Sequence, residues 1–153
     1  MKLQEAKQKA EMMLDYLKPY VKRAEIVGSI RRECLEVKDI DIILEPNDMF
    51  ETFIYEFRSN VEKKGKKIIT LELNGTQYDL YICTEENWEV SKLIRTGSKE
   101  HNKKLCRLAI EKGLHLKAGG EGLMDIDGNV VSNTERGILT FLLNKYVEPK
   151  DRK

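Results

Sequence analysis

Apolar residues at Leu3, Ala6, Ala10, Met13, Leu14 and Leu17 recur every three or four positions, which predicts an amphipathic helix halted by Pro19. Ala24–Val27 then reads as a strand feeding Gly28, and Val37–Leu44 as a second strand closed by Pro46. Asp48 with Glu51 three residues on has the form of a capping box. It opens a helix whose buried stripe is Phe50, Phe53, Ile54, Phe57 and Val61. Ile68–Leu73 and Gln77–Cys83 flank Asn74-Gly75, a two-residue hairpin signal. Past Cys83 the pattern changes: Glu89–Leu93 is weakly helical, and Lys99–Lys112 is a basic helix ended by Gly113. Gly119-Gly120 and Asp127-Gly128 mark a small hairpin, and Ser132 with Glu135 opens a last helix through Leu143. The mixture predicts an α+β protein of two lobes, residues 1–90 and 91–153.

The chain has 153 residues, enough for one compact unit or two small lobes. No apolar run reaches the roughly 20 residues that span a bilayer, and the N-terminus lacks a signal-peptide core. Cys34, Cys83 and Cys106 are odd in number and widely spaced, so reduced thiols and an intracellular place, cytoplasmic or nuclear, are expected. His101 and His115 are too isolated for a zinc site. The net charge of +1 hides an asymmetry: residues 1–90 carry 14 Lys/Arg against 18 Asp/Glu, and residues 91–153 carry 13 against 8. An acidic half joined to a basic one suits metal-dependent chemistry on a polyanion.

Asp39 and Asp41, placed on one face of the second expected strand, would have Cα atoms roughly 6.5 Å apart. Two like charges on one face repel, and a divalent cation with oxygen ligands relieves them. Gly28-Ser29 offers backbone N–H groups and a hydroxyl suited to phosphate.

Gly28-Ser29, nine intervening residues and Asp39-Ile40-Asp41 resemble the nucleotidyltransferase motif, with Asp79 in Tyr78-Asp79-Leu80-Tyr81 as its third carboxylate. Gly28-Ser29-Ile30-Arg31-Arg32, Thr96-Gly97-Ser98 with Asn102-Lys103, and Tyr146–Arg152 narrow the resemblance to the DNA polymerase X family. It implies a palm of mixed sheet backed by two helices, then a small α/β thumb, comparable to the short viral polymerases of that family. The family's N-terminal lyase domain and helix-hairpin-helix segment have no counterpart in the roughly 25 residues before Gly28. Lyase activity is therefore expected to be absent.

The implied activity is metal-dependent addition of a dNTP to a DNA 3′-hydroxyl with release of pyrophosphate. Asp39, Asp41 and Asp79 would hold two Mg²⁺ ions, with Mn²⁺ as a substitute, Asp79 also serving the primer hydroxyl. Ser29 and Arg32, beside Gly28, would hold the β- and γ-phosphates. Gly97-Ser98 would turn against the incoming nucleotide, and Asn102 would read its minor-groove edge. Lys99, Lys103 and Arg107, one helix face at i, i+4 and i+8, would meet DNA phosphates, as would Lys63 and Lys64. The expected substrate is primer-template or gapped DNA, copied distributively by a monomer in short-gap repair, with a DNA ligase as a possible partner. Ile94-Arg95, Lys38 and Cys106 depart from the family pattern, which leaves sugar discrimination and fidelity open.

Blander readings stand beside these. Lys63–Lys67 is also an ordinary solvated turn, and Asp125-Ile126-Asp127 repeats the carboxylate spacing only to shape a hairpin. Trp88 and Tyr146 read as packing residues, and Arg152 as an ion-paired anchor for the tail. Two rival functions remain: a template-independent nucleotidyltransferase acting on RNA ends or a small acceptor, and a catalytically silent DNA-end-binding module.

Overall fold

A computed structural model describes all of residues 1–153, which divide into two compact units, Met1–Thr84 and Glu85–Lys153. Both are mixtures of helix and sheet, and the class is α+β. In the first unit, strands β1 (Val21–Val27), β2 (Ile40–Pro46), β3 (Val61–Lys64), β4 (Ile68–Leu73) and β5 (Thr76–Ile82) form one sheet ordered β1-β2-β5-β4-β3. β2 and β5 run parallel, and the other neighbours are antiparallel. Helices α1 (Leu3–Leu17) and α3 (Phe50–Glu56) back the sheet, and a single turn, α2 (Gly28–Arg31), follows β1.

The core lies on the helical side. Ala6, Ala10, Met13 and Leu17 of α1 and Phe50, Phe53 and Ile54 of α3 pack on Ile40, Ile42, Leu44, Ile69, Leu71, Tyr78 and Leu80. Because strand side chains alternate, the intervening residues Asp41, Thr70 and Asp79 point to the other face.

Three local expectations are corrected here. β2 begins at Ile40, so Asp39 sits in the bend before the strand rather than within it. β1 ends at Val27 opposite Asp41, and the parallel ladder with β5 begins at Ile40 opposite Tyr78, so Asp39 lies outside both ladders. The second helix stops at Glu56, and Val61 belongs to β3. Asn60 donates its amide to Glu72 O (3.1 Å) and accepts from Glu72 N (2.9 Å), tying that stretch to β4 instead. The capping box also fails to form, since Met49 caps α3 without a side-chain bond and Asn47 Oδ1 accepts from Met49 N at 2.8 Å.

The second unit contains α4 (Trp88–Thr96), α5 (Lys99–Glu111), a three-stranded sheet of β6 (His115–Lys117), β7 (Gly122–Met124) and β8 (Val130–Ser132), and α6 (Glu135–Leu143). Val90, Leu93, Leu105, Ala109, Leu116, Leu123, Ile138, Leu139 and Leu142 make its core. Ser132 closes β8, and Thr134 is the residue that caps α6, accepting from Gly137 N at 3.0 Å. Asp125 shapes the hairpin turn by accepting from the backbone N–H groups of Asp127 and Asn129. Trp88 is buried, and Tyr146 lies under the Arg136 guanidinium.

Arg152 anchors the tail. Its side chain is fully buried, donates to Glu135 Oε2 at 2.9 Å and to Val147 O at 3.0 Å, and has one terminal nitrogen, Nη2, without a partner. Beside this pair His101 is buried with neither ring nitrogen hydrogen-bonded. Burial, and then the positive charges of Arg152 and Lys104, push its pKa down to about 4, against the opposing pull of Glu135.

A histidine depressed in the folded state stabilises fully above its ordinary pKa, and that contribution is lost as pH falls from about 6.5 to about 4. Roughly 3 kcal/mol is involved. Urea midpoints at pH 7 and pH 4 are expected to show wild type losing this much more than His101→Leu. Equal losses would mean that another group drives the acid transition.

Candidate active site

Antiparallel pairing sets Val27 opposite Asp41, and parallel pairing sets Asp41 opposite Asp79. Antiparallel pairing then sets Asp79 opposite Thr70, and Thr70 opposite Lys63. One row, Val27-Asp41-Asp79-Thr70-Lys63, thus crosses all five strands on the face away from the helices. Neighbouring strands lie about 4.8 Å apart, so Asp41 and Asp79 stand side by side. Asp39 follows in the bend just before the row.

At the end of β1 the chain turns at Gly28, whose φ is +65°. A Cβ there would collide with the Asp41 carboxylate, so the glycine lets the backbone lie directly against that side chain. This explains the motif spacing: strand pairing folds the Gly-Ser turn back over the second aspartate. Gly28→Ala combines left-handed strain with that collision. It is expected to destabilise the first unit by about 2–4 kcal/mol, read as a drop in urea midpoint. A loss below about 0.5 kcal/mol would mean the close approach is dispensable.

The site is electrostatically loaded. Burial raises the Asp41 pKa to about 6, the Tyr81 hydroxyl opposes the rise, and the charges of Asp79 and Asp39 add to it. Arg32 pulls the other way, as the weakest of these influences. Tyr81 Oη donates to Asp41 Oδ1 at 3.1 Å. Asp79 Oδ1 accepts from Thr70 Oγ1 at 2.9 Å and from Gln77 Nε2 at 3.2 Å, and the same amide reaches Asp79 Oδ2 at 3.3 Å.

A hard divalent cation fits the chemistry of this set. The donors are carboxylate oxygens that repel one another, and the absent Cβ of Gly28 leaves space beside Asp41 Oδ2. As the side chains stand, no three His, Cys, Asp or Glu groups are gathered into one ligating cluster. Asp41 and Asp79 each accept hydrogen bonds from uncharged neighbours.

The basic turn is sorted by strand alternation. Lys63 lies on the aspartate face, while Lys64 projects to the helical side and meets Glu51 of α3 at 3.9 Å. Lys63 and Lys64 thus lie on opposite sides of the edge strand. Ser29 and Arg32 sit in and just after the α2 turn, where Ser29 O accepts from Cys34 N at 3.0 Å.

In the second unit the peptide between Gly97 and Ser98 is cis. Ser98 caps α5 by accepting from His101 N at 3.2 Å. Asn102 donates to Ile94 O at 2.8 Å, which leaves its Oδ1 buried and unpartnered. Lys99, Lys103 and Arg107 are exposed along α5, and Lys103 pairs weakly with Glu100. None of the three cysteines is in a disulfide, and no helix is long and apolar enough to cross a membrane.

Thr70, Gln77, Tyr81 and Glu135 escaped the reading of the sequence. Register arithmetic from the Asn74-Gly75 turn would have set Thr70 opposite Asp79. Nothing in the sequence pairs Glu135 with Arg152.

Residues 92–153 match the family model of the DNA polymerase beta thumb. The C-terminal part of the chain is thus similar to the thumb of DNA polymerase beta, and residues 1–91 lie outside the match. No curated protein matches the chain.

Proposed function

We propose that the chain is a metal-dependent DNA polymerase of the X family that adds a dNTP to a DNA 3′-hydroxyl and releases pyrophosphate in short-gap repair. The observation that carries this reading is the paired Asp41 and Asp79 under Gly28, in a chain that continues into a region matching a polymerase thumb. Asp39, Asp41 and Asp79 are the residues that would hold two Mg²⁺ or Mn²⁺ ions. When bound, such ions polarise phosphoryl oxygens and lower the pKa of an attacking hydroxyl.

The protein's own contributions are distinct. Asp79 is the base for the primer hydroxyl proton. Ser29 and Arg32 hold the triphosphate, the guanidinium through two parallel bonds. Gly97, Ser98 and Asn102 contact the incoming nucleotide. Lys99, Lys103, Arg107 and Lys63 meet DNA phosphates, whose binding weakens as salt rises.

Single-nucleotide extension of a gapped duplex, with each dNTP and rNTP in turn, tests the reading. The complementary dNTP is expected to be added with Mg²⁺ or Mn²⁺ and not with a chelator. Absence of any incorporation with either metal would sink the proposal. Equal incorporation of all four nucleotides whatever the template base would instead support the template-independent transferase.

A further inference from the structure

We infer that Thr70, Gln77 and Tyr81 are positioning residues that aim the carboxylates of Asp79 and Asp41 at a divalent cation, an inference resting on the metal-dependent reading above. The three come from two strands and share the face that carries the aspartates. Thr70 is the register partner of Asp79 across β4 and β5, Gln77 precedes Asp79 by two residues on β5, and Tyr81 follows it by two. Thr70 is almost fully buried, so its hydroxyl has a fixed task rather than a solvent role. Between them they supply every hydrogen bond described above for the two carboxylates.

All three donors are neutral: a hydroxyl, a primary amide and a phenol. A lysine or arginine in their places would discharge the cluster and compete with a cation for it. A neutral donor takes one lone pair of a carboxylate oxygen, fixes the rotation of the group, and leaves its negative charge in place. One lone pair of Asp79 Oδ2 and, on Asp41, the second oxygen remain available to a cation. Gln77 spans both oxygens of Asp79, so it sets the plane of that carboxylate, while Thr70 fixes its tilt. Outer donors of this kind typically change metal affinity by about 10–100-fold when removed.

Mn²⁺ titration of the nucleotide-free protein, followed by calorimetry or paramagnetic relaxation, tests the inference without relying on activity. Thr70→Val, Gln77→Leu and Tyr81→Phe are each expected to weaken Mn²⁺ binding about 10-fold or more. Thr70→Ser, which keeps the hydroxyl, should restore wild-type affinity. In extension assays the same variants should need proportionately more metal for half-maximal rate, with the KM for DNA unchanged. Melting in chelator checks the fold of each variant. Variants that melt like wild type and bind Mn²⁺ equally well would overturn the positioning role while leaving the metal site intact. A wild type that takes up no Mn²⁺ would overturn the metal reading itself, and this inference with it.

Discussion

Asp41→Asn is expected to cut nucleotide addition on the order of a thousand-fold and, in the same molecule, to make the metal-free protein more stable. On the proposed metal-dependent reading, the activity loss would follow from losing a charged metal ligand, a matter of several kcal/mol in the transition state, or about 4 for three powers of ten. The stability gain has the opposite origin. Folding carries Asp41 into a half-buried place next to two other carboxylates, and its pKa rises to about 6. An acid raised in the folded state binds its proton more tightly there. Its penalty is absent below about pH 4, grows as pH climbs through the interval to about 6, and is full at neutrality.

Removing the charge should therefore recover about 2 kcal/mol at pH 7, roughly 10 °C in the melting temperature of a unit this small. Melting in chelator at pH 4 and pH 7 would show the variant's advantage only at the higher pH. A variant that is inactive and also less stable at pH 7 would contradict the account, because Asp41 would then be a structural residue. Asp39→Asn and Asp79→Asn should share the activity loss.

Arg152→Ala is expected to cost about 3–5 kcal/mol in the second unit, since it removes the guanidinium that pairs with the buried Glu135 carboxylate at 2.9 Å. Units of this size have only roughly 3–10 kcal/mol in total, so the change can unfold it. Hydrogen exchange along α5 and α6 would report the loss directly. Arg152→Met combined with Glu135→Leu removes both charges and should regain most of the stability. Arg152→Lys should not, because a lysine cannot reach Glu135 and Val147 O together through the two arms of a fork. A cost under about 1 kcal/mol for Arg152→Ala would show that the tail is held by its apolar contacts alone.

Where the chain's periodicity was strong, it was also sufficient. The α1 stripe of Ala6, Ala10, Met13 and Leu17 is buried as its spacing requires, and the Asn74-Gly75 signal makes the hairpin of β4 and β5. Tertiary pairing decided the rest. Whether Asp39 lies inside β2 depends on where the ladders with β1 and β5 begin, and whether Val61 ends a helix or begins a strand depends on what β4 offers it. Lys63 and Lys64 are neighbours with the same charge and opposite faces, a distinction that appears only once a register exists. The Glu135 and Arg152 pair lies beyond any local pattern, because two segments meet there that no periodicity links.

The tip at Asn74-Gly75 is a ruler for the chemistry. With φ of +51° and +82°, it permits the tight two-residue reversal that fixes which residue of β4 stands beside Asp79. Were one residue inserted there and the two-residue turn kept, β4 would slip by one, and a slip of one turns every side chain to the opposite side. Thr70 would plunge into oil and Ile69 would be laid against a carboxylate. Over evolutionary time such chains should therefore gain and lose residues freely in the lysine-rich bend after β3, and hardly ever at this tip.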